Sequence, residues 1–263
     1  MPIRNASSIA DVLNASTAAY TPTCQISLGQ PCSKWRLRTG TPQAPGWCQE
    51  AQCMHAGIVS NCPWRSVTNA DAPKVSKKTG SWALTQAYIY YLDKGLVFAL
   101  ARFFLRNGGS LVEFGAGKGC YSEGLRAAGV RTVRAYDGAP NVAVVTNATV
   151  RHADLTEANL QLGMSDWVLC TEVAEHIPRP LEDAFVTNVI GHARVGVVIS
   201  WSPTALGNGH VNPRNRSYVE HLFRRRGLHE DRMASSQLNS AVSDMMWLKD
   251  NVLVFRRRAA HVV

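Results

Sequence analysis

The chain has 263 residues, 46% of them hydrophobic and 18% charged, which is the balance of a globular protein and excludes a disordered one. Lys and Arg total 28 against 19 Asp and Glu, and the resulting +9 favours anionic partners such as phosphates, nucleic acid or acidic headgroups. No run approaches the roughly 18 to 20 apolar residues that a membrane span needs, and the polar stretch after Met1-Pro2-Ile3-Arg4-Asn5 has no apolar core of a signal peptide.

Residues 1–80 are rich in Pro, Gly, Ser, Thr and Cys and carry no sustained period, so they are expected to form an irregular extension of a folded unit at 81–263. Cys24, Cys32, Cys48, Cys53 and Cys62 crowd this region, and their odd number leaves one thiol over from any closed disulfide set. Cys48, Cys53, His55 and Cys62 are ligand types that zinc accepts, but paired Cys-x2-Cys knuckles are missing. Disulfides are the first reading, and no metal is assigned. Asn-x-Ser/Thr sequons begin at Asn5, Asn14, Asn147 and Asn215. With the cysteines they keep a secretory route open beside a cytoplasmic location.

From Trp82 to Arg106 the pattern turns helical. Leu84, Ala87, Tyr88, Tyr91 and Leu92, then Val97, Leu100, Ala101 and Leu105, fit two helices or one bent near Gly95, stopped at Asn107-Gly108-Gly109. Strands and helices then alternate. Strands are expected at 110–114, at 130–136 ending on Asp137, at 149–153 ending on Asp154, at 166–171, at 195–201 and at 251–257. Helices are expected at 121–128, 179–193 and 214–226, the last closed by Gly227. Near-continuous apolar strands between helices indicate an α/β, doubly wound, mostly parallel sheet covered on both faces, with ligands at the carboxyl ends of its strands. The clusters Arg224-Arg225-Arg226 and Arg256-Arg257-Arg258 read as solvated element ends. They lack the interleaved aromatics of a single-strand binding platform, so a nucleic-acid partner is not expected.

The chemistry concentrates at Leu111-Val112-Glu113-Phe114-Gly115-Ala116-Gly117-Lys118-Gly119. A strand that turns into a helix through alternating glycines lets backbone approach a ligand and aims free amides at it. Asp137 ends the next strand, where a carboxylate can take both hydroxyls of a ribose, and Asp154 with Leu155 ends the third, beside an adenine edge. The fourth strand runs into Thr171-Glu172-Val173-Ala174-Glu175-His176-Ile177-Pro178. A dinucleotide fingerprint of the Gly-x-Gly-x-x-Gly form would need glycine at 120, where Cys120 stands.

On these residues, 110–257 resembles the class I S-adenosylmethionine-dependent methyltransferases, and most of all their small-molecule, ubiquinone-biosynthesis-like group. The resemblance matches the acid and glycines of the first motif (Glu113, Gly115, Gly117, Gly119), the ribose acid (Asp137), the adenine-side acid (Asp154) and a Glu-x-x-x-His-hydrophobic-Pro segment (Glu172, His176, Ile177, Pro178). It implies a Rossmann-like sheet of seven strands, the last antiparallel at 252–255. It also implies an S-adenosyl-L-methionine site made of Glu113, Phe114, Gly115, Ala116, Gly117 and Gly119, of Asp137, Gly138, Asp154 and Leu155, and of Thr171 and Glu172.

Methyl transfer asks the protein mainly to position two reactants and exclude water, with a base for the acceptor's proton. His176 is the first candidate for that base, and Glu175 and Glu172, three apart on a helical turn, can share a face beside it. His210, in the glycine-rich loop 207–212, is a candidate to meet the acceptor, and Tyr218 and His221 are weaker ones. No Asn/Asp-Pro-Pro-Tyr segment follows strand four, and Pro31-Cys32 lies outside the fold. Glu172 and Glu175 stand too close for a protein-arginine glutamate hairpin. By elimination the acceptor is expected to be a small molecule. A protein or nucleic-acid acceptor, or a non-catalytic binding module with this fold, are the alternatives.

Overall fold

In the computed structural model, which describes residues 24–26, 75–84 and 90–257, the chain enters through a short parallel pair, β1 (Cys24–Ile26) against β2 (Tyr90–Leu92). The turn at 75–84 is closed by a bridge from Val75 to Trp82. Asp93 then caps α1 (Lys94–Asn107) by accepting the Leu96 N–H at 2.8 Å.

Beyond α1 the expected alternation appears: β3 (Leu111–Phe114), α2 (Cys120–Ala127), β4 (Val133–Asp137), the single turn α3 (Val142–Val145) and β5 (Arg151–His152). There follow β6 (Ser165–Cys170), α4 (Glu182–Gly191), β7 (Ala193–Ser200), α5 (Arg216–Arg224), β8 (Leu228–Glu230), α6 (Arg232–Ala241) and β9 (Val252–Arg257). The seven strands of the main sheet lie in the order β5-β4-β3-β6-β7-β9-β8. Only β9 runs antiparallel to its neighbours. Among the described residues no helix is long and apolar enough to cross a membrane.

Two apolar layers cover the two faces. Leu96, Leu100 and Phe104 of α1, Leu125 of α2 and Leu238 of α6 pack on one. Phe185 and Val189 of α4 and Val219 and Phe223 of α5 pack on the other. Burial on both sides explains why Val197, Val198 and Ile199 of β7 are consecutive and all fully buried. On β3 the alternation of side chains sends Val112 and Phe114 to the α4 face and Leu111 to the α1 face. Glu113, next in register with Leu111, therefore points under α2, where Ser122 meets it.

Two expectations need correction. The apolar spacing of 82–92 is helical, yet Tyr90–Leu92 is a strand, Trp82 belongs to a turn, and positions 85–89 lie outside the described residues. The helix itself begins only after Asp93. In the opposite sense, α6 was not expected, because its core-facing side carries Ser235 and Asn239 beside Leu238. These polar groups serve the sheet. β8 pairs only with residues 255–257 of β9. Ser235 Oγ accepts the Val254 N–H at 2.9 Å, and Asn239 accepts from Val252 N at 2.9 Å while donating to its carbonyl at 2.7 Å. The open edge of β9 is thus satisfied by a helix face.

Asp93 ties the ends of the fold together. Fully buried, its carboxylate also accepts the backbone N–H groups of Ser243, Asp244 and Met245, at 3.0, 2.7 and 2.7 Å. Hydrogen bonds to a charged acceptor contribute roughly 1.5 to 3 kcal/mol each, though not additively. Asp93→Ala is expected to lower the unfolding free energy by about 3 kcal/mol or more, read by urea titration. A loss below about 1 kcal/mol would show that the four donors find other partners.

Candidate functional site

The chain leaves β3 toward β4 and β5 and returns to β6 on its other side, so the carboxyl ends of β3 and β6 diverge at a topological switch point. The turn after β3 sits there. Gly115, Gly117 and Gly119 have φ of 72°, 53° and 83°, the left-handed region that glycine enters without cost. At Gly115 space matters too, since a Cβ would stand 2.0 Å from Val173 Cγ2. The turn is fastened to the next strand: Ala116 N donates to the Tyr136 carbonyl at 3.0 Å, and Gly117 N to Asp137 Oδ2 at 2.7 Å. The second Asp137 oxygen accepts Ala139 N at 2.8 Å.

A cavity of about 270 Å³ opens between these ends. Ten of the twelve residues expected to hold the cofactor line it, from Glu113 and the Gly115-Ala116-Gly117 backbone through Asp137, Gly138, Asp154 and Leu155 to Thr171 and Glu172. Two do not. Phe114 is fully buried in the α4-side core, its ring 5.3 Å from that of His192. Gly119 instead supplies the left-handed residue that starts α2.

Other walls escaped the sequence reading. Thr79, Gly80, Ser81 and Trp82 close one side, which places the last residues of the expected extension in the site. Met245, Trp247 and Leu248, around the 3-10 turn Met246–Leu248, close another. The signal for them was the apolar Met245-Met246-Trp247-Leu248 run in a polar stretch. Such a run is too short to show any period.

The acids of the cavity differ in how they are held. Glu113 is buried, which raises its pKa to about 7 even though the Ser122 hydroxyl donates to it. Burial also raises Asp137, against the pull of its two backbone donors. One oxygen of Asp154 takes the N–H and hydroxyl of Thr156 at 2.9 and 2.6 Å, so this acid builds its own turn as well. Glu172 has φ 58°, a strained value for a side-chain-bearing residue, and is fixed by Ser200 at 3.0 Å and Trp247 Nε1 at 2.8 Å.

The three expected catalytic residues come together beside the cavity. Glu175, His176 and His210 each offer a ligand atom within 4.8 Å of the others. His176 lines the cavity, stacked edge-on between Trp82 and His210 with ring centroids at 5.2 and 5.0 Å. Burial lowers its pKa to about 4, so the ring is neutral at neutral pH. Glu175 lies behind it, fully buried, with its pKa raised by that burial and by the charge of Glu172. The Glu175 and Ser202 amides lower it somewhat. Neither amide meets hydrogen-bond geometry, and both carboxylate oxygens lack a partner.

The 207–212 loop brings His210 here by fixed contacts. Val211 N and Asn212 N both donate to the Glu175 carbonyl at 2.9 Å, and Asn212 Nδ2 donates to Glu182 at 2.8 Å. A Cβ on Gly207 would fall 2.1 Å from His210 Nε2, so glycine lets the ring lie against the loop. Tyr218 bonds to Glu182 and so braces this loop, while His221 is exposed on α5. Of the domain's two cysteines, Cys170 is free and buried, whereas Cys120, on the cavity wall, is disulfide-bonded. Its partner lies outside the residues whose side chains are described. The zinc-type set Cys48, Cys53, His55 and Cys62 also lies outside the described residues.

Glu113 makes this region pH-sensitive. Its folded pKa lies above the ordinary carboxyl value of 4.5, so its contribution to stability is full below that value and is lost as pH rises through about 7. Ligand-free protein is therefore expected to lose on the order of 2 to 3 kcal/mol relative to Glu113→Gln between about pH 5 and about pH 8. Urea titrations of both proteins at the two pH values check this. An unchanged difference would place the ionised carboxylate in a solvated setting.

No protein-family model and no curated protein matches the chain. Among solved structures it is similar to a magnesium protoporphyrin IX methyltransferase from Synechocystis, solved with bound S-adenosylhomocysteine, at 18% identity and a TM-score of 0.47 over 61% of this chain and 81% of that one. It is similar to an amino pentose methyltransferase from Micromonospora echinaspora at 14% identity and 0.47, over 63% and 90% of the two chains. A small RNA methyltransferase is matched at 15% identity and 0.49, over 64% of this chain and 26% of that one. These are likenesses of fold.

Proposed function

We propose that this chain is a methyltransferase that takes its methyl group from S-adenosylmethionine bound at the carboxyl ends of β3, β4 and β6. One observation carries the reading. Glu113, Asp137 and Asp154, acids from three successive strand segments, reach a single cavity beside a glycine turn that exposes its backbone to that cavity. The residues fit the cofactor part by part. Asp137 suits the ribose hydroxyls, Asp154 and Leu155 an adenine edge and its face. Gly115 and Gly117 permit close approach of the amino-acid portion, and the Glu113 carboxyl, poised near neutrality, suits its cationic end.

When bound, the cofactor supplies an electrophilic methyl on sulfur. The acceptor's lone pair forms the new bond to that carbon as the carbon–sulfur bond breaks with its electron pair staying on sulfur, which leaves S-adenosylhomocysteine, and the acceptor's proton passes to water or to His176. The chain contributes position and exclusion of water. Trp82, Ile177, Met245 and Trp247 give the cavity apolar walls, and this supports a small, partly apolar acceptor bearing a hydroxyl, carboxyl or amine. His176 stands on the same wall, with Glu175 and His210 behind it, as the polar group nearest such an acceptor.

Calorimetry tests the reading. The wild-type chain is expected to bind S-adenosylmethionine and S-adenosylhomocysteine at one site. Asp137→Ala is expected to weaken both by tenfold or more, about 1.4 kcal/mol, while the melting transition stays cooperative. If neither compound binds the wild-type chain, the proposal fails.

A further inference from the structure

Glu175 is the anomaly of the site. The neighbouring glutamates are satisfied: Glu172 by Ser200 and Trp247, Glu182 by Asn212 and Arg214. Glu175 is fully buried, yet neither of its oxygens has a hydrogen-bond partner. An unpaired carboxylate in such a place is costly and calls for a counter-charge. A neutral carboxyl is no better placed, because its O–H would need an acceptor. The nearest nitrogen of His210, Nε2, stands 4.0 Å from Oε1, beyond hydrogen-bond reach.

The histidines are arranged as ligands. His176 Nδ1 lies 3.1 Å from the Gly209 carbonyl, and His210 Nδ1 2.8 Å from the Thr204 carbonyl. A carbonyl only accepts, so each Nδ1 carries a proton, and Nε2 is the nitrogen left to bind an ion. Fixing the tautomer through a backbone carbonyl on the far nitrogen is the usual outer support of a metal-binding histidine. The carboxylate and the two rings come from separate segments, the turn after β6 and the loop after β7, which the bonds from Val211 and Asn212 to the Glu175 carbonyl lock together.

We propose that Glu175, His176 and His210 bind one divalent metal ion at the wall of the cavity. With bonds of about 2.1 Å, ligand atoms around an ion stand about 3 to 4.2 Å apart, so the observed 4.8 Å span closes with small side-chain rotations. Two imidazoles and one carboxylate select Mn²⁺, Fe²⁺, Co²⁺ or Zn²⁺ over Mg²⁺ or Ca²⁺. Three protein ligands leave coordination positions open, and His176 places the ion beside the space assigned to the acceptor. The site stands on these residues alone, whether or not the cavity holds S-adenosylmethionine.

Mn²⁺ is the probe to use on the full chain, because the thiols of residues 1–80 have little affinity for it. The electron-paramagnetic signal of free Mn²⁺ reports what remains unbound, and the melting transition reports stabilisation by bound metal. Wild-type protein is expected to take up one equivalent and to melt higher with Mn²⁺. Glu175→Gln and His210→Asn are each expected to bind at least tenfold more weakly and to lose the thermal shift. Their metal-free melting transitions show that they fold, and His210→Asn, in a surface loop, guards against a folding defect in the buried variant. The inference is overturned if wild-type protein takes up no Mn²⁺, or if both folded variants take it up as tightly as the wild type. S-adenosylhomocysteine calorimetry on the same samples reports separately on the cofactor reading.

Discussion

The hydrogen bond from Gly117 N to Asp137 holds the site in shape. A turn with three left-handed residues in five has no regular ladder of its own, and its amides need partners. The Tyr136 carbonyl and the Asp137 carboxylate provide them, so the turn after β3 is set by the end of β4. That bond draws the carboxylate to the lip of the cavity. It also aligns the first turn of α2, whose Ser122 reaches back to Glu113.

Much of this was legible in the sequence. The apolar runs of β3, β6 and β7 are unambiguous because both faces of the sheet are buried, and the acids at 113, 137 and 154 mark strand ends by interrupting such runs. What was illegible has physical reasons. The polar face of α6 is spent on the β9 edge, so its sequence reads as surface. Apolar residues at 84–92 have helical spacing, but pairing of residues 90–92 with β1 overrides it. Trp247 belongs to the site through a single turn that no periodicity can reveal, and Phe114 leaves it because strand alternation turns it into the core. His210 was visible only as a histidine in a glycine-rich loop. Its position against Glu175 depends on backbone bonds that no side-chain pattern encodes.

The electrostatics follow from unequal burial of like groups. Five carboxylates lie in or against the cavity region, and the fold assigns each a different means of tolerating its charge. Asp137 and Asp154 take backbone or hydroxyl donors at strand ends, Glu172 takes a serine and an indole, and Glu113 sits near its point of neutrality beneath a helix. Glu175 is left with two histidines whose far nitrogens are engaged, at separations that an ion would bridge. The region is acidic inside a chain whose net charge is +9.

A crystal structure of the chain with S-adenosylhomocysteine tests the central claim most directly. The adenosine is expected between Asp137 and Asp154, with the ribose on Asp137, and the amino-acid portion over Gly115 and Gly117 beneath Glu113. Its sulfur would face the wall that carries His176. A cavity left empty at saturating ligand, or a ligand seated away from Asp137 and the glycine turn, would contradict it.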